Sequence, residues 1–427
     1  MPLRTPNSTA LLTDQYELTM LASALADGSA SRRCTFEVFA RGLHGHRYGV
    51  VAGVPRLLDA VARFRFGEEQ LAFLHRMLDP RTLDWLASYR FRGDIDGYPE
   101  GELYFPGSPV LTVTGSFAEA VMLETLVCSV LNHDSAVASA AARMATAAGD
   151  RPLVEMGSRR THEEAAVAAA RAAYLGGFSA TSNLAAGQRY GIPTTGTAAH
   201  AFSLLHDSEV DAFAAQVAAL GTDTTLLVDT FDITQGIATA IEVAGPGLRA
   251  VRIDSGDLGV VARQARDQLD RLGAPDVQIV VSGDLDEYSI AALRAEPVDS
   301  YGVGTSVVTG SGVPTAGLIY KLVEVDGHPV AKRSTSKVSR GWAKSALRRH
   351  KPSGTAIEEV VFHRGRQPKL EEHDRVVPVP FLREGQPVGS PLTLQQGRER
   401  VTAALVTLPW EGLRLSPGDP AIPTTFV

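Results

Sequence analysis

At 427 residues, 44% hydrophobic and 21% charged, the chain is long enough to bury a substantial core and is expected to form two domains rather than one. A net charge of −7 excludes a chain built to hold a polyanion, so nucleic acid is not expected as a partner. Nowhere do about 18 uncharged apolar residues run together, and Asp14 and Glu17 interrupt the N-terminus, so neither a membrane span nor an export signal is expected.

Residues 1–120 mix short strand candidates ("CTFEVFAR", "RYGVVAG", "GELYFPGSPVLTV") with polar turns and one helical stretch, "GEEQLAFLHRML". This reads as an N-terminal α+β layer. Its Cys34, with Cys128 further on, completes a cysteine content too small for a disulfide framework or a four-ligand metal site, which fits a reducing cytoplasm. Both are expected to be buried small hydrophobes. From Phe117 to Met144 an Ala-rich pattern with a period of 3.6 predicts one or two long packed helices, with a break at Asn132-His133-Asp134.

From Leu153 the rhythm changes. Short apolar runs ("LVEMG", "GFSATSN", "IPTTGT", "TTLLVDT", "RAVRIDSG", "VQIVVSGD", "SYGVGTS") alternate with helical segments such as "EEAAVAAARAAY" and "VVARQARDQLDRL". Alternating strands and helices predict parallel strands joined by right-handed crossovers. The fold class is therefore α/β: an irregular parallel (β/α) barrel of about seven strands over residues 121–315. A second domain, an α+β sandwich, is expected from the N-terminal segment and from residues 316–427, which begin with the strand-like "GLIYKLVEVDGHPVAKRS" and return to the N-terminal layer.

In parallel barrels the chemistry sits where the strands' carboxyl ends enter their loops. Those ends carry Gly157-Ser158-Arg159-Arg160, Thr181-Ser182-Asn183, Gly196-Thr197 with His200 just beyond, Asp229, Asp254-Ser255-Gly256-Asp257, Ser282-Gly283-Asp284 and Gly302-Val303-Gly304-Thr305-Ser306. "SGDL" occurs twice, at 255–258 and 282–285. One copy alone would read as a tight turn with an Asp capping the next helix. Two copies on neighbouring strands beside Gly-Val-Gly-Thr-Ser point to a phosphorylated ligand, because glycines let backbone N–H groups approach phosphate and carboxylates can meet ribose hydroxyls or Mg²⁺. Arg159 and Arg160 could be a solvated pair, but they follow a Gly at a strand end, where planar guanidinium forks suit phosphate or carboxylate. Arg252, inside the apolar run "AVRID", requires a buried partner or an anionic ligand.

Taken in order, "LLTDQYELTM", "GSRRTHEEAAVAAARAAYLGGFSATSNLAAGQRYGIPTTGTAAHAF", "VRIDSGDLG", "VSGDLDEYSI", "GVGTSVVT" and "YKLVEVDGHPVAKRSTSK" strongly resemble the nicotinate phosphoribosyltransferase family from about residue 11 to about residue 350. The resemblance implies transfer of 5-phosphoribosyl from phosphoribosyl pyrophosphate to the ring nitrogen of nicotinate, in NAD salvage. ATP is implied as a co-substrate, with coupling through a phosphorylated histidine. His200 is the matching position, set among residues small enough to leave room for a phosphoryl group, and Asp229 matches the acid that orients it. Tyr16 resembles the tyrosine that stacks on the pyridine ring from a neighbouring subunit, implying a homodimer with a shared active site. Arg159 and Arg252 match groups that meet the nicotinate carboxylate and phosphate. Asp254 and Asp257 fall where ribose and Mg²⁺-pyrophosphate bind, with Gly283, Gly304 and Thr305 at the 5-phosphate; Ser282 and Asp284 are also expected to bind substrate. Thr181 and Ser182 would line the base pocket; Ser182 stands where the nicotinamide-using relatives place an aspartate, and it could also cap the helix that follows.

"KVSRGWAKSALRRHK" lacks the Pro before Gly of the family's lysine-rich loop, although Lys332, Arg333, Lys337 and Lys344 keep it basic, and a solvated basic surface is its plainer reading. Two other functions stay open at this stage. A different phosphosugar enzyme of the Schiff-base type would need a strand-end lysine, yet no lysine lies between Leu153 and Tyr320. A non-catalytic nucleotide-binding sensor on the same scaffold would have less need of His200, Asp229 and both SGDL loops.

Overall fold

The computed structural model describes residues 8–332 and 339–427, so Arg333 and Lys337 of the basic loop lie outside the described residues. The chain divides into two compact units, 1–139 with 315–427, and 140–314.

The first unit is built on a seven-stranded antiparallel sheet in the order 328–329, 318–325, 33–40, 111–116, 94–97, 379–383, 386–387. Two strands beyond residue 315 thus pair directly with N-terminal ones: Leu318–Val325 with Arg33–Ala40, and Val379–Arg383 with Asp94–Gly97. A four-stranded sheet (375–376, 344–350, 356–363, 424–426) and a two-stranded one (49–50, 103–104) belong to the same unit. Between the chain's two ends lies a buried ionic cluster. Arg348, 1% exposed, donates to Glu102 Oε1 and Glu359 Oε2 at 2.6 Å each and to Leu103 O at 2.8 Å, while Tyr98 donates to Glu359 Oε1 at 2.6 Å. Removing one member would strand a charge, which is why such clusters hold register strongly. Lys344 is not part of a solvated basic surface: it is buried, its ammonium 2.8 Å from Glu37 Oε2 and hydrogen-bonded to Arg340 and Trp342 carbonyls. Cys34 and Cys128 are free thiols; Cys34 is buried as expected, whereas Cys128 is only partly so, and desolvation pushes Cys34 up to about 11 and Cys128 up to about 12.

The break expected at Asn132-His133-Asp134 does not occur; Glu124–Ala148 is one continuous helix. Its polar residues are docking groups rather than breakers. Asn132 exchanges two hydrogen bonds with the backbone of Leu318, Asp134 takes Arg56, and the Ser135 and Ser139 hydroxyls accept from Ala52 N and Val50 N. These side chains meet groups outside the helix, and the Ser139 hydroxyl also donates to Ser135 O within it, a back-bond that leaves the helix continuous.

The second unit holds a six-stranded parallel sheet in the order 180–181, 153–155, 300–303, 278–282, 250–253, 225–227. The seventh expected strand, "IPTTGT", contributes one parallel bridge, Thr194 to Thr181, so the sheet is an open part-barrel. Pro193 explains the truncation, since it has no N–H to extend a ladder. The crossover helices include Glu163–Leu175, Ile233–Ala244 and Leu258–Arg271. Among the described residues no helix is long and apolar enough to cross a membrane.

Candidate active site

The strand ends of the second unit carry one connected polar network. Arg252 leaves the strand Ala250–Ile253 and donates to three different loops: Nε to Ser282 Oγ at 2.8 Å, Nη1 to Thr197 Oγ1 at 2.8 Å, and Nη2 to Asp254 Oδ1 at 2.9 Å. Ser282 in turn donates to Asp254 Oδ1. The guanidinium expected to need a partner has one in the part-exposed Asp254, which balances its charge while leaving two of its five N–H groups for a ligand. Asp229 continues the chain: its Oδ2 accepts from Asp254 N at 2.9 Å and from Ser255 Oγ at 2.7 Å.

Asp229 Oδ1 is buried without a hydrogen-bond donor and stands 3.8 Å from His200 Nε2. That separation is an electrostatic contact, too long for a hydrogen bond. The imidazole's hydrogen bond is made instead by Nδ1 to Thr230 Oγ1, at 3.1 Å. His200 opens the short helix His200–Leu205, with its side chain 42% exposed, and a Cβ added at Gly196 would meet nothing within 4 Å. The ring is thus partly open to solvent. Thr230 was not legible as a partner because it follows Asp229 in a loop with no periodicity.

Two further carboxylates escaped the sequence reading. Glu155 is buried at the end of the strand Leu153–Glu155; it accepts from Thr181 Oγ1 at 2.6 Å and from Gly157 N, and burial holds its carboxyl above the ordinary range. An acid inside the apolar "LVEMG" was the available signal. Glu209 has a buried, unpartnered Oε1, and burial, then Asp229 and Asp232, raise its pKa. The His200 side of the rim is accordingly acidic.

The remaining positions separate into open and committed ones. Thr181 is fully buried, its hydroxyl donating to Glu155 and accepting from Asn183 N at 2.9 Å, so it shapes the neighbouring loop and has no hydrogen left for a ligand. Asn183, not Ser182, caps the helix Leu184–Tyr190 by accepting from Ala186 N at 2.9 Å. Ser182 is thereby relieved of capping. Asp257 caps Leu258–Arg271 and is exposed, whereas in the second SGDL copy the cap is Asp286, leaving Asp284 exposed at φ +47°. Gly283, at φ +109°, lies so close to the preceding loop that a Cβ would sit 2.6 Å from Asp254 O. Gly304 and exposed Thr305 begin the short helix Thr305–Val308. Arg159 and Arg160 are exposed, and no ion pair involves Arg159 among the described residues. Tyr16 belongs to the other unit, 45% exposed on the helix Gln15–Asp27, with its phenol pushed up to about 12 by partial burial and then by Glu124 and Glu17. No group of three or more His, Cys, Asp or Glu side chains among the described residues could hold a metal on its own.

Comparison with known proteins agrees with this layout. Residues 11–132 match the family model of the nicotinate phosphoribosyltransferase N-terminal domain, and residues 137–312 that of the quinolinate phosphoribosyl transferase C-terminal domain. A nicotinate phosphoribosyltransferase of Mycobacterium tuberculosis is 64% identical over 426 residues, 98% of this chain and 95% of that protein. One from Bacillus subtilis is 36% identical over 75% of this chain and 68% of its own length. The crystal structure of human nicotinic acid phosphoribosyltransferase superposes with a TM-score of 0.85 at 25% identity, covering 97% of both chains. The open part-barrel carrying the Arg252–Asp254–Asp229–His200 network thus belongs to a member of the nicotinate phosphoribosyltransferase family.

Proposed function

We propose that the chain transfers 5-phosphoribosyl from phosphoribosyl pyrophosphate to the ring nitrogen of nicotinate, giving nicotinate mononucleotide and pyrophosphate, and couples this to ATP hydrolysis through phosphorylation of His200. The observation that carries the reading is the continuous path from Arg252 through Asp254 and Asp229 to the open His200 ring, on one rim of a chain with this family membership.

Breaking the C1–pyrophosphate bond puts positive charge on the ribose and negative charge on the leaving group, while the pyridine nitrogen supplies the new bond to C1. No protein nucleophile is needed. Asp254, held still by Arg252 and Ser282, offers its carboxylate to the cationic ribose, and the glycine loops at Gly283 and Gly304 let backbone approach the 5-phosphate. Arg252 has three donors already in use, so exposed Arg159 is the freer guanidinium for the nicotinate carboxylate, with Ser182 adding no repulsion. Bound Mg²⁺ would neutralise phosphate charge. The donor set fits an ion held chiefly by phosphate oxygens, with Asp254 and Asp257 as the nearby carboxylates, since no protein cage is present among the described residues.

For the histidine, the tautomer in which Nδ1–H donates to Thr230 Oγ1 would leave the Nε2 lone pair to take the γ-phosphoryl of ATP, with ADP as leaving group. Asp229 at 3.8 Å would stabilise the charged ring during transfer, and hydrolysis of the phosphohistidine would return the imidazole. Tyr16 would stack on the base of a partner subunit's site in a homodimer, and the reaction would serve pyridine nucleotide salvage in the cytoplasm. Incubation with labelled nicotinate and phosphoribosyl pyrophosphate, with and without ATP, should yield the mononucleotide in both cases and more with ATP, accompanied by ADP. No mononucleotide under either condition would refute the activity. Mixed dimers of Tyr16→Ala and Asp254→Asn chains should recover activity that neither homodimer has; no recovery would refute sharing.

A further inference from the structure

In the first unit, lined by none of the residues named above as site residues, lies a cleft of about 570 Å³ between the helix Val54–Ala62 with its following loop, the stretch 90–92, and the hairpin of 379–387. This volume falls within the range of small-molecule sites, about 300–1,000 Å³. Three arginines, Arg65, Arg90 and Arg92, line it.

What sets them apart is that all three share one cleft without a carboxylate partner among the described residues. Arg56, Arg63, Arg348, Arg364 and Arg383 in the same unit each meet a carboxylate. No carboxylate among the described residues lies within ion-pair distance of Arg65, Arg90 or Arg92; Arg65 Nε donates to Ala62 O at 3.1 Å and Arg90 Nη1 to Tyr89 O. Of the two acids in the lining, Asp59 is already held by Arg63 at 2.7 Å, and Glu384 makes no ion pair there. Burial, then Arg65 and Arg92, lower the Arg90 pKa, so the three cations repel one another across the cleft. The floor is apolar and stiff: Phe64 and Phe91 are buried, and Phe64, Phe66 and Tyr89 pack edge to face with centroids 5.5–6.1 Å apart.

We propose that this cleft binds a small phosphate ester carrying two or more negative charges, its organic part against the apolar lining of Leu58, Ala62 and Pro387 above the aromatic floor and its phosphates on Arg65, Arg90 and Arg92. Guanidinium forks match phosphate oxygens bidentately, and an anion replaces mutual repulsion by pairing. A nucleoside diphosphate has the required size, planarity and charge. A concave site with an aromatic floor favours such a ligand over a membrane surface, which needs exposed, convex charge.

The test counts ADP equivalents by isothermal titration calorimetry on the full chain. The wild-type protein should bind one more equivalent per chain than the R65Q/R90Q/R92Q variant, whatever the candidate active site binds. R92Q alone should weaken that additional equivalent by about tenfold, the effect of losing one charge-assisted contact. The additional binding should fade with added salt and be absent with adenosine. All three positions are exposed, and a crystal soak of the wild-type protein gives a readout that does not depend on variant folding: density for phosphates against the arginines is expected. Equal stoichiometry in wild type and triple variant, no density in the soak, or arginine-dependent binding to phosphatidylserine vesicles without the additional ADP would each overturn the proposal.

Discussion

Glu17 offers a sharp test of how the first unit is held together. Its side chain is fully buried at the start of the helix Gln15–Asp27; Oε1 accepts from Thr125 N at 2.7 Å, at the start of the long helix Glu124–Ala148, and Oε2 has no partner. Burial pushes its carboxyl up to about 7, against an ordinary 4.5, despite the lowering effect of the Thr125 hydrogen bonds. The folded state therefore holds the proton more tightly than the unfolded chain, and the sign follows: stability is full below about pH 4.5 and is lost as pH rises through 7. A separation of about 2.5 pKa units corresponds to about 3 kcal/mol at pH 8. Glu17→Gln keeps an acceptor for Thr125 N and supplies the neutral form permanently. Chemical denaturation of both proteins at pH 5 and pH 8 measures the effect: near-equal stability at pH 5, with the variant ahead by up to about 3 kcal/mol at pH 8. A variant that is equally destabilised at both pH values would show that the buried carboxylate is satisfied and the reasoning wrong.

Three other perturbations address the second unit. His200→Ala should leave a residual transfer activity but abolish its stimulation by ATP; ADP release in step with product in the variant would exclude this histidine as the phosphoryl carrier. Ser182→Asp should lose nicotinate turnover while phosphoribosyl pyrophosphate still binds, because like charges about 4 Å apart repel by ~4 kcal/mol at an effective dielectric of 20; unchanged nicotinate kcat/KM in the folded variant would remove Ser182 from the base pocket. Gly283→Ala, placing a Cβ 2.6 Å from Asp254 O at a φ of +109°, should raise KM for phosphoribosyl pyrophosphate and displace Asp254 while the unfolding midpoint falls modestly. Native kinetics in that variant would show that the two SGDL loops do not need their close approach.

Much of the architecture was legible because period and punctuation are local properties. The alternation from Leu153 onward required parallel strands, each strand end could be read off as the last residue before a turn signal, and Arg252 inside an apolar run demanded a countercharge that Asp254 supplies. The same locality misled at Asn132-His133-Asp134, where polar residues that would break an isolated helix are docked onto Leu318, Arg56 and the backbone at Val50 and Ala52. No window of sequence contains those partners.

What the amino-acid sequence determined by itself was the inventory: which residues stand at the strand ends, that they can meet phosphate and carboxylate, and which family they match. Which of them are available was decided only by the tertiary structure. Thr181 has the right chemistry but is engaged by Glu155 and Asn183, Lys344 is withdrawn from a basic loop to neutralise Glu37, and Thr230 rather than Asp229 makes the His200 hydrogen bond. A hydrogen bond or ion pair has directional reach of only a few ångströms. Whether a side chain is free for a ligand depends on which distant residue folding brings within that reach, and that information exists only once the chain has closed on itself.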